Sequence, residues 1–454
     1  MKKLRQYPSY VDSKVEWLRN IPSHWEVVKS KRIFIESSIK GFPDEELLAA
    51  TQTKGVIPKS LYENTTVTAT KNFETLKLVE MGDFVISLRS FQGGIEYAHY
   101  RGIISPAYTI LKPQEEVTPK YYRYLLKSKR YISGLTLLVT GIREGQNIDT
   151  SKFKDSYLPL PPKEEQTNIA NFLDYKTEKI NRFIKKKKHL IKLLKEQKAA
   201  IINQAVTKGL NQNIAMKESG IEWLGEIPNH WKLDKLSRLL KPKGLIRGPF
   251  GSALKTSFFV KKGYKVYEQK NAIYKDLTLG DSYIDSEKFE ELKRFEVKLN
   301  DFLMSCSGTI GELHQVKGDF KKGIINQAMM IMRMKKIIHP DFFIWLFRSE
   351  YIKTTILDSS KGSAMKNLVG INEFKAVKIP VLPLDEQKEI VSHLEYETEK
   401  VNKTISTIQK EITLVEEYKK ALIAEAVTGK IDVRDFHVPL ENKRQLKGAE
   451  ATVN

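Results

Sequence analysis

VEWLRNIPSHWEV, residues 15–27, returns as IEWLGEIPNHWKL, residues 221–233, and this recurrence decides the fold. Trp17, Pro22, His24 and Trp25 are matched by Trp223, Pro228, His230 and Trp231 at an offset of 206. Farther along, PLPPKEEQTNIANFLDYKTEKIN from Pro159 returns as PVLPLDEQKEIVSHLEYETEKVN from Pro380, and AVTKG from Ala205 returns as AVTGK from Ala426, now at an offset of 221. Gly102-Ile103-Ile104 and Gly323-Ile324-Ile325 already keep the second offset, as do Gly141 and Gly362. The second half's 15 extra residues therefore enter between the opening motif and about Arg101. A self-similarity this long means one structural plan used twice, with middles that have diverged.

Those middles read as mixed α/β. FVISL (84–88), YTILK (108–112) and MMIMR (329–333) are apolar runs of strand length, and TPKYYRYLLKSKRYI from Thr118 has the spacing of a short amphipathic helix. Two domains of roughly 150 residues are of ordinary size. The repeated tails differ in kind. Neither Pro162 to Thr207 nor Pro383 to Thr428 contains an internal Gly or Pro. Proline opens each, Glu164-Glu165 and Asp385-Glu386 put negative charge in the first turn, and Gly209 and Gly429 close them. A helix of ~45 residues is ~68 Å long and needs a partner. Heptads supply one. Leu394, Val401, Ile408, Val415 and Leu422 form one seam, with Thr398, Ile405, Ile412, Lys419 and Ala426 beside it. In the first tail the seams are Leu173, Ile180, Lys187, Leu194, Ile201 and Thr177, Ile184, Ile191, Lys198, Ala205. The economical arrangement is an antiparallel pair about the pseudo-twofold axis that relates the domains; the alternative is that each helix folds back on its own domain or on a partner protein.

Composition narrows the function. Of 454 residues, 76 are Lys or Arg against 55 Asp or Glu, a formal charge of +21, which favours a polyanionic partner. Residues 1–162 carry +7 (24 basic, 17 acidic), 163–208 carry +7 (12, 5), 209–384 carry +10 (29, 19), and 385–430 carry −3 (7, 10). Both middles are thus basic, as modules that neutralise DNA phosphates would be. No apolar run approaches the ~20 residues that span a bilayer, and MKKLRQYPSYVDSK lacks a signal peptide's apolar stretch, so a cytoplasmic protein without a membrane partner is expected. Cys306 is the single cysteine, which excludes an intrachain disulfide. No phosphate-cradling glycine loop, dinucleotide-binding glycine run, zinc-spaced His pair or adenine-methylating Asn/Asp-Pro-Pro-aromatic signature occurs. His24 and His230, between Pro and Trp, read as packed structural residues. Asp341, Glu350 and Lys353 have a nuclease's residue types at the wrong spacing and read as a domain helix.

In this order the motifs resemble the specificity subunits of type I restriction-modification systems. The resemblance rests on the twice-used WLxxIPxHW opening, on GPFGSALK at Gly248–Lys255, and on Gly82-Asp83-Phe84 and Asn300-Asp301-Phe302. It rests also on the proline-rich lead-ins Leu158–Gln166 and Ile379–Gln387 to the long helices. The first half shows no clear counterpart of GPFGSALK. The resemblance implies an α+β chain: two pseudo-repeated α/β target recognition domains, 1–160 and 209–382, separated by long spacer helices, 161–208 and 383–430, that form an antiparallel coiled-coil-like pair, with a tail at 431–454. It further implies that each domain reads one half of a bipartite, asymmetric site on double-stranded DNA. The helices would dock two copies of a methyltransferase subunit, with a motor and nuclease subunit as a further partner. S-adenosylmethionine, ATP and Mg would serve those partners, and this chain would hold no catalytic site, metal or cofactor.

Two pseudo-symmetric domains suit two half-sites, with an unread spacer if the helices hold the readers about one DNA turn apart, ~34 Å. Base edges are read by Arg, Lys, Asn and Gln, while other cations position the backbone. The DNA-binding candidates are Arg89, Arg143, Gln146 and Asn147 in the first domain and Arg247, Lys255, Lys366 and Asn367 in the second. They follow the repeated Gly141 and Gly362 or flank the GPFGS turn, Arg89 excepted. Two other classes compete: a methyltransferase or nuclease with a fused recognition domain, and a helical adaptor that binds DNA nonspecifically.

Overall fold

The residues after each IPxHW motif and those before each long helix are extended runs rich in Val, Leu and Pro, and they pair. Glu26–Lys29 lies antiparallel to Tyr157–Leu160, with Glu26 opposite Leu160. Lys232–Lys235 lies antiparallel to Lys378–Val381, with Lys232 opposite Val381. One clasp has been written twice, at the two offsets found in the sequence. The computed structural model describes residues 5–62, 72–88, 90–135, 139–140, 147–222, 224–358 and 367–439. The chain divides into two units, residues 1–187 with 409–454 and residues 188–408.

Each unit centres on a four-stranded antiparallel sheet. Its order in the first is Phe34–Ser37, Thr109–Pro113, Phe84–Ile86, Glu96–Tyr97, and in the second Leu240–Arg247, Met329–Met334, Phe302–Ser305, Leu313–Gln315. The registers locate the extra residues. Phe34 opposes Pro113 where Leu240 opposes Met334, and Phe84 opposes Tyr97 where Phe302 opposes Gln315. The offset is therefore 206 at the first strand in chain order, 218 at the second and third, and 221 at the fourth. Twelve of the 15 residues enter between the first and second strands and three between the third and fourth. The second unit uses that stretch to build a further four-stranded sheet, in which Gly323–Ile325 runs parallel to Tyr264–Tyr267. In the first unit Gly102–Ile104 pairs antiparallel with Lys77–Val79, and Ile103 also bridges Leu47 in parallel. Ile324 likewise bridges Glu296 antiparallel, so the Gly-Ile-Ile segment has one parallel and one antiparallel neighbour in both units, and only the length of each pairing differs.

The expected strands form at Phe84–Ile86, Thr109–Pro113 and Met329–Met334. The single helix expected from Thr118 is two, Pro119–Leu125 and Lys129–Leu135. Ser128 breaks it: its N–H closes a tight turn on the Leu125 carbonyl at 3.0 Å, and its hydroxyl accepts the Tyr131 N–H at 3.3 Å. The matching segment in the second unit is also a pair, Pro340–Phe347 and Glu350–Ile356, with Ser349 capping the second. Asp341 pairs with Lys317 and Glu350 with Lys353, so these groups lie on domain helices, as expected.

The long helices run Lys163–Lys208 and Leu384–Val427. Gly209 at φ 74° and Gly429 at φ 69° end them in the left-handed conformation that spares glycine a Cβ clash. Within the first unit Lys419 donates to Asn181 at 2.7 Å and Lys187 pairs with Glu411 at 2.9 Å, so numbers rise along one helix as they fall along the other. Within the second unit Lys198 donates to Asn402 at 2.8 Å. The Lys198–Asn402 and Lys419–Asn181 bonds are the same bond at offset 221. Polar residues that interrupt the apolar seam thus find acceptors on the facing helix, while Leu173, Thr177, Ile184, Leu394, Val401, Ile408, Ile412 and Leu422 are buried. The helix ends also enter the domain cores: Leu173, Leu422 and Val427 pack with Trp25 and Tyr121, and Ile202, Val206 and Leu394 pack with Trp231 and Phe342. Pairing and folding back both occur, at different places along the same helices.

Candidate nucleic-acid interface

An interface must first be held rigid, and the repeated motif does this. Glu165, in the first turn of its helix, accepts from His24 Nε2 at 2.8 Å and Trp25 Nε1 at 2.9 Å, and also from the Tyr7 hydroxyl. Glu386 accepts from His230 Nε2 and Trp231 Nε1, each at 2.9 Å. The next residue completes the lock. Gln166 accepts the Thr118 N–H at 2.8 Å and donates to the Pro161 carbonyl at 2.8 Å. Gln387 accepts the His339 N–H at 2.7 Å and donates to the Leu382 carbonyl at 2.9 Å. The Glu-Gln pair therefore ties each opening motif and each domain helix to the start of a long helix. Both histidines tie a helix-start carboxylate, but the side chains of His24 and His230 are 38% and 40% exposed, not packed as expected. Sequence reading found both partners as repeats but missed that they meet; the signal was that HW and EQ recur together.

In the second unit the strand Leu240–Arg247 runs out into GPFGSALK. Gly248 passes so close to the 326–327 backbone that a Cβ would stand 1.9 Å from the Asn326 carbonyl oxygen, so only glycine fits. Its N–H donates to the Met329 carbonyl at 2.9 Å. The Phe250 carbonyl accepts the Ala253 N–H at 2.9 Å, and Leu254 is buried with Val266, Ile284, Phe289 and Ile324. A loop pinned at both ends results. Arg247 and Lys255 are exposed at its two ends, and neither forms an ion pair among the described residues.

The other candidates gather on one kind of element. Thr140 opposes Asn147 in a two-stranded hairpin, and Asp358 opposes Asn367 in its counterpart. The backbones of Asn147 and Asn367 are thus placed at equivalent hairpins. Arg89, Arg143, Gln146 and Lys366 lie outside the described residues. In the first unit the short helix Ser90–Gly93 packs beside the Asn147–Ile148 strand and the Lys129–Leu135 helix, which joins the turn after Arg89 to the hairpin. The first unit has no GPFGS-like loop at the matching strand. That strand ends at Ser37, the Ile39 carbonyl then accepts the Leu78 N–H at 2.8 Å, and Arg101 lies over the Phe42 ring at 5.8 Å.

Among the described residues no group of three or more His, Cys, Asp or Glu is arranged to hold a metal ion. Cys306 is buried, which pushes its thiol up to about 11, far from the thiolate a nucleophile needs. No described helix is long and apolar enough to cross a membrane.

Known proteins share this pattern. The family profile described as type I restriction modification DNA specificity domain matches residues 22–193 and again 251–414. The MjaVIII specificity subunit of a type I restriction enzyme from Methanocaldococcus jannaschii is 25% identical over 79% of this chain and 81% of its own length. The EcoBI specificity subunit from Escherichia coli is 24% identical over 63% of this chain and 60% of its own. The solved HsdS subunit of Thermoanaerobacter tengcongensis superposes with a TM-score of 0.51 at 13% identity, over 90% of this chain and 98% of that one. A chain from a structure of type I R-M complex assembly and conformational transition superposes at 0.68 with 14% identity, over 90% and 99%.

Proposed function

Because this chain belongs to the family of type I restriction-modification DNA specificity subunits, we propose that each of its two units reads one half of a bipartite, asymmetric DNA site and directs partner methyltransferase and nuclease subunits to it. The observation that carries this reading is a common framework with unlike reading surfaces. The sheet order, the Glu-His-Trp clasp and the hairpin are repeated, whereas among the described residues the GPFGS loop belongs to one unit alone and the pairing around the Gly-Ile-Ile strand is extended differently in each. Equal frameworks orient two readers alike, and unequal loops meet unequal bases.

The chain itself performs no methyl transfer or cleavage in this proposal. S-adenosylmethionine, ATP and Mg serve the partners, two methyltransferase copies among them, whose docking surface is the long-helix pair. Arg247 and Lys255, with Arg89, Arg143, Gln146, Asn147, Lys366 and Asn367, supply phosphate and base contacts. Coexpression with the cognate methyltransferase subunit followed by mapping of methylated adenines tests the reading. The expected result is one split, asymmetric motif, and no methyl transfer by the isolated chain; intrinsic transfer, or binding without sequence preference, overturns it.

A further inference from the structure

Phe250 is the most exposed large apolar side chain among the described residues, at 88%. Its exposure is built in. Gly248 is wedged under the Asn326 carbonyl, the Ala253 N–H closes the turn on the Phe250 carbonyl, and Leu254 anchors the far side in the core. Both flanks thus fix the backbone that carries the ring at the surface.

Its surroundings indicate what it meets. Arg247 and Lys255 stand exposed on either side in a segment of net charge +10, and Gln327, also exposed, has its Cα 3.1 Å from where a Gly248 Cβ would be. A lone exposed ring in a loop flanked by exposed cations is a poor match for a protein partner, which would cover a broad apolar patch. It matches DNA, whose base faces accept an aromatic ring, whose phosphates accept the cations, and whose adenine edge pairs with an amide. We infer that Phe250 is a base-stacking wedge, entering the duplex at a base step of the second half-site while Arg247 and Lys255 hold the flanking phosphates and Gln327 faces a base edge. This rests on the recognition function proposed above and adds an asymmetry to it, because among the described residues of the first unit no Phe is comparably exposed: Phe42 is 36% exposed and lies under Arg101.

The test uses the full chain assembled with its methyltransferase subunits and duplexes of the methylation-mapped site carrying 2-aminopurine at successive steps. The wild-type complex should raise fluorescence at one step of the second half-site and at none of the first. F250A should abolish that rise and weaken binding about 10- to 100-fold, with the melting curve and the first half-site preference unchanged, and F250W should restore both signals. Binding and fluorescence unaltered in F250A overturn the wedge. So does loss of methyltransferase assembly in F250A with DNA binding intact, which makes the ring a protein contact. If the wild-type complex has no defined site at all, the recognition reading falls first, and the wedge with it.

Discussion

Asp83 in the first unit and Asp301 in the second occupy the same turn, each accepting the N–H three residues back, from Glu80 and from Lys298, at 2.9 Å. Their charges are handled differently. Arg333 grips Asp301 through two bonds, of 2.8 and 2.9 Å, and also donates to the Glu296 carbonyl. The matching position in the first unit is Lys112, which acts on Asp83 only through its charge, and burial pushes that carboxyl up to about 6. Glu96, in the neighbouring strand, is 2% exposed in its side chain and bonded to Lys127 at 2.8 Å, yet its Oε2 has no partner among the described residues and burial lifts it to about 7. A shared backbone plan therefore does not imply a shared electrostatic solution. A guanidinium fork satisfies a buried carboxylate where an ammonium point charge does not.

The comparison breaks most visibly at the level of specificity. Exchanging residues 221–378 for the same segment of a related subunit should replace one half of the recognised motif outright and leave the other intact. That segment lies wholly within the second unit and ends where the clasp strand Lys378–Val381 begins, a repeated framework element that the exchange leaves in place, so its contacts should travel with it. Methylation mapping checks this, and a change in both half-sites would mean that the units do not read independently.

A smaller but still large difference should separate Arg333→Ala from Lys112→Ala. The first leaves Asp301 buried and unpaired and should cost about 3–5 kcal/mol. The second removes a distant charge and should cost less than about 1 kcal/mol. Urea denaturation of the two variants measures both, and equal losses would erase the distinction drawn here.

The sign of the pH effect follows from Glu96. Its folded carboxyl titrates near 7 against 4.5 for the free group, so the native state holds the proton more tightly. The stability this provides is complete below about pH 4.5 and is lost as pH rises through about 7. Asp83, raised to about 6, acts in the same sense. Glu96→Gln keeps the shape without the charge and should stabilise the first unit at pH 8 by about 2 kcal/mol, less than the full shift implies, because Lys127 loses its ionic partner. No gain should appear at pH 4.5. Hydrogen exchange resolved to the first unit reads this, and a gain independent of pH would show that ionisation is not its cause.

What was legible in the sequence was whatever has a spacing. The long helices, their antiparallel seam and the strands at 84, 109 and 329 follow from periodicity, because burial imposes a spacing that composition records. What depends on a single polar group or on the meeting of distant segments was not legible, even where it recurs. The break at Ser128 depends on one residue and recurs at Ser349, and the meeting of Trp25 with Glu165 spans 140 residues and recurs as Trp231 with Glu386. For the interface, residue type marked Arg247 and Lys255, but Gln327 and Phe250 escaped notice. Their exposure is set by the close approach of Gly248 to residue 326, a tertiary fact that no local pattern carries.

The finest difference between the units lies in their shared lysine–asparagine bond. Lys198–Asn402 and Lys419–Asn181 occupy equivalent seam positions, and burial lowers the pKa of both lysines below the ordinary range. Only Lys198 has a further cause, the nearby charge of Arg348, so its ammonium leans more on its amide partner. Asn402→Ala should therefore cost more than Asn181→Ala, though both only a few tenths of a kcal/mol to about 1 kcal/mol, since these are partly solvated hydrogen bonds. Replacing Lys419 and Asn181 together by Leu should instead stabilise the pair, because the seam becomes continuously apolar. The polar step that opposes a register slip is then gone, as for a single polar residue in a coiled-coil seam. Denaturation of the three variants, read together with crosslinking between cysteines placed at 180 and 423, separates the two effects. Stabilisation with one unchanged crosslink pattern would mean that the lysine–asparagine bond does not set register.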